Sequence, residues 1–166
     1  GILFLTLVII ASTGLLLGWK KNSSGYLHPD TYYGTNAEMC CWLPLDSLHS
    51  IALQVLHDSI NPNLRTELDR IDVRPDAGMV KFVFRHHYNG IQLDAATGRV
   101  LHLERRRSDI IEDIHDGSAM DKLFGTSGEQ IKVVYTTING LALLVFSITG
   151  FLIWVNSRKR TRNNRV

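Results

Sequence analysis

Three adjacent pairs hold the chemically versatile side chains of this 166-residue chain: Cys40-Cys41, His86-His87 and His115-Asp116. An oxidising compartment would favour pairing of the two thiols, but neighbouring cysteines can close only a strained ring. No Cys-x-x-Cys spacing is present, so two buried thiols are the expected state. His86 and His87 would point to opposite faces of a strand and are not expected to share an ion. His49 and His57 lie eight residues apart, about two helical turns, and need a third element to bind anything jointly. His115-Asp116 has the composition of an acid–base pair, because a carboxylate tunes an imidazole. No nucleophile, ligand set or phosphate loop accompanies it in the sequence, so a solvated helix end is the expected role. Asp94 and Gly98 bound the segment Asp94-Ala-Ala-Thr-Gly98. A short acid there bonds amides two or three residues on, and glycine supplies the left-handed residue of a structural turn. Arg105-Arg106-Arg107 reads as a solvated strand end that discourages further pairing, or as a contact for an acidic protein or headgroup. Catalytic, cofactor-binding and metal-ligating residues are therefore assigned to none of these positions.

The elements around these residues form a small core. Leu45, Leu48, Ala52, Val55, Leu56 and Ile60 recur at three- and four-residue spacing, which predicts a helix over 45–60 that starts after Pro44 and ends at Asn61-Pro62. The period then falls to two. Ile71 and Val73 alternate with charged residues, and Pro75-Asp-Ala-Gly78 is a turn. Val80, Phe82, Phe84, His86 and Tyr88 share one face of a second strand, Asn89-Gly90 marks a tight turn or bulge before Ile91-Gln92-Leu93, and Arg99 to Arg105 returns as a further strand. One helix laid on three or four antiparallel strands gives an α+β domain. At roughly 65 residues, it lies near the lower limit of independent stability.

Both ends of the chain are apolar. Residues 2–17 and 131–155 are almost free of charge, and the second run has none between Lys132 and Arg158. A bilayer core needs about 20 helical residues. The first run is shorter and begins at the first residue, so its start is expected to have been cut off or processed. A secretory signal peptide is the competing reading, but no small-residue cleavage site precedes Trp19. Trp19 before Lys20-Lys21, and Trp154 before Arg158, Lys159 and Arg160, match the aromatic and cationic anchors of a membrane interface. Five cations among the last nine residues argue for a cytoplasmic C-terminus. Two spans then place both termini inside and the central domain outside. Residues 22–129 carry 16 acids against 10 Lys and Arg, a net of −6, and the other eight cations flank the membrane. This division gives no support to nucleic-acid binding. With both termini inside, Gly14 would lie near the outer leaflet and Gly150 near the inner one. The small-residue notches Thr13-Gly14 and Thr149-Gly150 could not then meet, and each is expected to pack against something else, a partner helix above all.

The order of helix, strand, turn and strand, followed by Leu93-Asp94-Ala-Ala-Thr97-Gly98-Arg99-Val100-Leu101, resembles the PepSY domain with its D-x-x-T-G-x-V-L signature. Residues 11–16 and 140–152 resemble the helices of PepSY-associated transmembrane proteins, and Ile114-His115-Asp116-Gly117 is similar to that family's L-H-x-G segment. The resemblance covers essentially the whole chain. It implies a bacterial inner (cytoplasmic) membrane protein divided into a first transmembrane helix (1–19), a periplasmic PepSY-like domain (20–107), an interfacial connector (108–129), a second transmembrane helix (130–155) and a basic cytoplasmic tail (156–166). Larger members have four or more spans, and some reduce iron–siderophore complexes with haem; soluble PepSY domains are associated with restraining peptidases. This chain has two apolar runs, one domain and no His within those runs. The function expected is a non-enzymatic accessory subunit of a larger respiratory, photosynthetic or other redox complex, held by membrane lipid and other membrane subunits. Haem- or metal-linked iron–siderophore reduction and regulation of a peptidase are the alternatives.

Overall fold

The helix expected over 45–60 forms as α2 (Leu45–Val55), prolonged by one π turn over Leu56–Ile60. The computed structural model describes residues 1–126 and 128–163, with side chains described as far as Arg158. Leu48, Ala52 and Leu56, each four residues from the next, are buried, whereas Leu45 at the helix start is exposed. Period-two patterning then gives β1 (Leu68–Arg74), β2 (Met79–Phe84), β3 (Asn89–Asp94) and β4 (Val100–Arg105), paired as an antiparallel meander in sequence order. Val80, Phe82, Phe84, Ile91 and Leu93 meet the α2 stripe and form the core. The α+β class and the helix-on-sheet arrangement follow the expectation.

Two local expectations are corrected. β2 stops at Phe84, so His86 and Tyr88 belong to the bend joining it to β3, and Asn89-Gly90 opens β3 instead of turning the chain. Arg106 explains the bend: its guanidinium donates to the carbonyls of Phe84 and His87, both at 2.8 Å, and its amide donates to Tyr88 at 2.7 Å. Gly90 pairs with Val83 and Glu104 in the ladder, and a side chain there would crowd the sheet, because a Cβ would meet Glu104 Oε1 at 2.8 Å. Arg106 is thus a buried brace, not part of a solvated strand end; Arg105 and Arg107 are both exposed, as the solvated reading expects, with Arg107 stacked on the exposed Tyr26, 4.2 Å from the ring centre.

The second face of the sheet is also covered. Residues 26–36 run across it, with the Tyr32 amide donating to Gln92 Oε1 at 3.2 Å and Gln92 Nε2 donating to Asp30 O at 3.2 Å and to Glu104 Oε2 at 2.9 Å. Lys81 pairs with Glu104, and Tyr32 stacks on His102 with ring centres 4.5 Å apart. A buried charge needs such partners, and here Glu104 has a cation and an amide.

The chain divides into two compact units. One is Trp19–Ile110, which contains the sheet; the other joins Gly1–Gly18 to Ile111–Val166. The second unit contains α1 (Ile2–Gly18), the end of α3 (Arg107–Asp116), α4 (Ser118–Phe124) and α5 (Gln130–Asn163). α5 is long and apolar enough to cross a membrane over Gln130–Arg158, and it continues as helix beyond residue 155, where the sequence reading ends the span. α1 is apolar but has 17 residues, fewer than the roughly 20 that a span ordinarily needs.

Candidate functional site: a helix junction and a pinned loop

The L-H-x-G-like segment ties the helices of the second unit together. His115 leans on α1, its Nδ1 lying 2.9 Å from Thr13 Oγ1. The Thr13 hydroxyl already donates to Ile9 O at 2.7 Å, so the arrangement that satisfies both groups has Nδ1–H donating to the threonine oxygen. A Cβ on Gly14 would stand 3.3 Å from His115 Cε1. The notch at Thr13-Gly14 is therefore filled from within the chain. The expectation that it needs a foreign occupant is corrected by this contact, and His115 is a helix-packing residue, not a solvated helix end.

Asp116 receives the amide of Ser118 at 2.9 Å and the Ser118 hydroxyl at 2.6 Å, and pairs with Lys132 at 3.0 Å. Burial raises the Asp116 carboxyl, but these bonds outweigh it and hold the group below its ordinary value. Gly117 has φ +84°, and a Cβ there would meet the Tyr135 ring at 2.8 Å, so glycine is required for both backbone and space. Asp121 lies buried in α4 and accepts the amides of Ile131 at 3.1 Å and Lys132 at 2.7 Å. It satisfies two of the amides that the first turn of α5 leaves without partners. Deeper along the helices, Thr6 Oγ1 donates to Asn139 Oδ1 at 2.6 Å, joining α1 to α5. The contacts of Asp121 with the start of α5 and the Thr6–Asn139 pair carry no local sequence signal, because these partners lie 10 to 133 residues apart.

Thr149 and Gly150 contrast with the junction. Both are exposed; the Thr149 hydroxyl returns to Val145 O at 2.8 Å, and nothing lies within 4 Å of a Cβ built on Gly150. Trp19 and Trp154 are exposed, and the Arg158 guanidinium lies 4.3 Å over the Trp154 ring. The side chains of Lys159 and Arg160 lie outside the described residues.

In the sheet-bearing unit, Asp94 pins a loop. Its carboxylate accepts the Thr35 amide at 3.2 Å and hydroxyl at 2.9 Å, the Thr97 hydroxyl at 2.8 Å and the Ala96 amide at 3.0 Å. Burial raises this carboxyl, and the four bonds, those from the Thr97 and Thr35 hydroxyls foremost, overcome that and lower it. Gly98 completes the turn at φ +73°, with Ile51 Cδ1 2.6 Å from where a Cβ would be. The turn reading of both residues matches this geometry, with one addition: Asp94 also reaches back to Thr35. Downstream of Thr35, Cys40 and Cys41 are exposed rather than buried, because they occupy a surface 3-10 turn (Met39–Cys41). His86 contacts Glu67 at 2.7 Å, His87 contacts Arg65 O at 3.1 Å, and His49 stacks on Phe82 with ring centres 5.9 Å apart. These histidines are separated and do not converge on one site.

An apolar spanning helix, a junction that fastens a second apolar helix to it, and a helix-on-sheet domain together define a membrane protein with an extramembrane α+β module. A family model for the PepSY-associated TM region matches residues 2–166, and the chain belongs to that family. Comparison with curated proteins and with solved structures gives no significant match.

Proposed function

We propose that the chain is a non-enzymatic accessory subunit of a larger complex in a bacterial inner membrane. It crosses twice, with both termini cytoplasmic and the PepSY-like domain periplasmic, and docks through its helices. The observation that carries this reading is the contrast between the two notches. His115 fills the one at Gly14, while Thr149-Gly150 stands open, and on the face of α5 that carries Gly150 its neighbours Leu143, Phe146, Ile153 and Trp154 are all exposed. A small residue flanked by large apolar ones is the surface on which a second helix packs closely, through dispersion and lipid release rather than water exclusion. The 17 residues of α1 reach about 26 Å, close to a hydrocarbon core of about 30 Å, and modest bilayer thinning closes that gap. A photo-crosslinking residue at Thr149 in native membranes tests the docking. A discrete protein adduct there, absent when the probe is at Val133 on the same helix, is expected; adducts with lipid alone at both positions would defeat the proposal.

A further inference from the structure

The exposed turn that carries the paired cysteines is built like a chelate. Cys40 Sγ and Cys41 Sγ stand 3.6 Å apart, too far for a disulfide, whose bond is about 2.05 Å, and close to the roughly 3.8 Å that two 2.3 Å bonds make at a tetrahedral zinc. Glu38 offers a carboxylate oxygen, and all three donor atoms lie within 4.8 Å of one another. We propose that Glu38, Cys40 and Cys41 form a binding site for a thiophilic divalent cation of the zinc class, with the fourth position left to water or an external ligand.

The turn is held on both sides, so little ordering is left for the metal to impose. Upstream, Asp94 holds Thr35, and Asn36 Oδ1 accepts the Glu38 amide at 2.8 Å. Within it, the Cys41 amide donates to Glu38 O at 3.0 Å. Downstream, Trp42 Nε1 donates to Asn36 O at 2.9 Å, and the Leu43 amide donates to Ala95 O at 2.9 Å. The same rigidity opposes closure of the strained ring that adjacent cysteines would need, which leaves both sulfurs available as ligands. Contact with Cys40 pushes the Cys41 thiol up. A bound dication reverses that preference, since coordination deprotonates a thiol outright. One thiol of this kind would be an ordinary surface cysteine; two at chelating distance with a carboxylate beside them form a donor set that suits zinc.

The full-length protein, purified in detergent and reduced with a non-thiol phosphine, is titrated with Zn2+ by calorimetry. Cd2+ is then used to read the ultraviolet thiolate-to-metal band. One ion per chain and a thiolate band are expected. Cys40→Ser and Cys41→Ser should each abolish the band, and Glu38→Gln should weaken binding about tenfold, the size of one lost charge-assisted contact. All three positions are exposed, so far-ultraviolet circular dichroism should be unchanged in the variants. Unchanged Zn2+ binding in the double Cys→Ser variant would assign the ion to histidines and overturn the proposal. Failure of the reduced wild-type protein to bind either ion would overturn it as well. The accessory-subunit reading stands or falls separately, because the crosslink at Thr149 does not depend on metal.

Discussion

Replacing Asp94 by alanine strips one acceptor from four donors at once: the Thr35 amide and hydroxyl, the Thr97 hydroxyl and the Ala96 amide. Hydrogen bonds to a charged group are worth about 1.5–3 kcal/mol each, but water can re-enter part of the vacated space and the contributions do not add. A net loss of about 3 kcal/mol is expected, a large share of the roughly 5–15 kcal/mol available to a domain. Asp94→Asn keeps one carbonyl acceptor and should lose about half as much. Urea denaturation of the full chain in mild detergent, followed through Trp42 fluorescence, measures both. With a slope of about 1–3 kcal/mol per molar, the alanine midpoint should fall by roughly 1–3 M. Trp42 is a suitable reporter because its indole N–H donates to Asn36 O, next to the pinned Thr35. An alanine midpoint within about 0.3 M of wild type would refute the claim that Asp94 clamps this loop.

Four further expectations follow from the same geometry. Gly98→Ala should cost about 1–3 kcal/mol, because the left-handed backbone and the Ile51 methyl both oppose a Cβ; a thermal midpoint equal to wild type would contradict this. Arg106→Ala removes the guanidinium donor from the Phe84 and His87 carbonyls and the nearer cation from Asp109, and should destabilise the sheet-bearing unit by about 3 kcal/mol or more, read by hydrogen exchange at Arg85–Asn89; unchanged protection there would refute the brace. Thr13→Val keeps shape but removes the oxygen facing His115, costing about 1 kcal/mol and shifting the imidazole nitrogen resonances; unaltered resonances would mean the contact does not form. The Asp94 carboxyl is lowered in the folded state, so its contribution is fully present above the unfolded value of about 3.9 and is lost as pH falls through the lower folded value. Wild-type stability should therefore fall more steeply than that of Asp94→Asn below about pH 4, and parallel curves would count against the assignment.

The fold was legible where pattern and chemistry were local. The α2 stripe, the Pro75–Gly78 turn and the Asp94–Gly98 turn each lie within one element, and each forms where periodicity or turn chemistry places it. Long-range contacts were hidden. Arg106 reads as one of three surface cations until the Phe84 and His87 carbonyls are brought around it, 19 to 22 residues away in sequence. His115 reads as a helix end until α1, 102 residues earlier, supplies Thr13. The covering of the second sheet face by residues 26–36 has no period at all, because it depends on single bonds to Gln92 and Asp94. The exposed cysteines are the same kind of case: burial is the usual fate of a thiol, and only the loop's outer anchors show why these two escape it.

Native mass spectrometry of the protein released gently from its own membrane tests the central claim most directly. The account predicts that this chain leaves the membrane in stoichiometric company with other membrane subunits, and that a bulky Gly150→Leu substitution frees it. A wild-type particle consisting of the single chain and lipid would contradict the account.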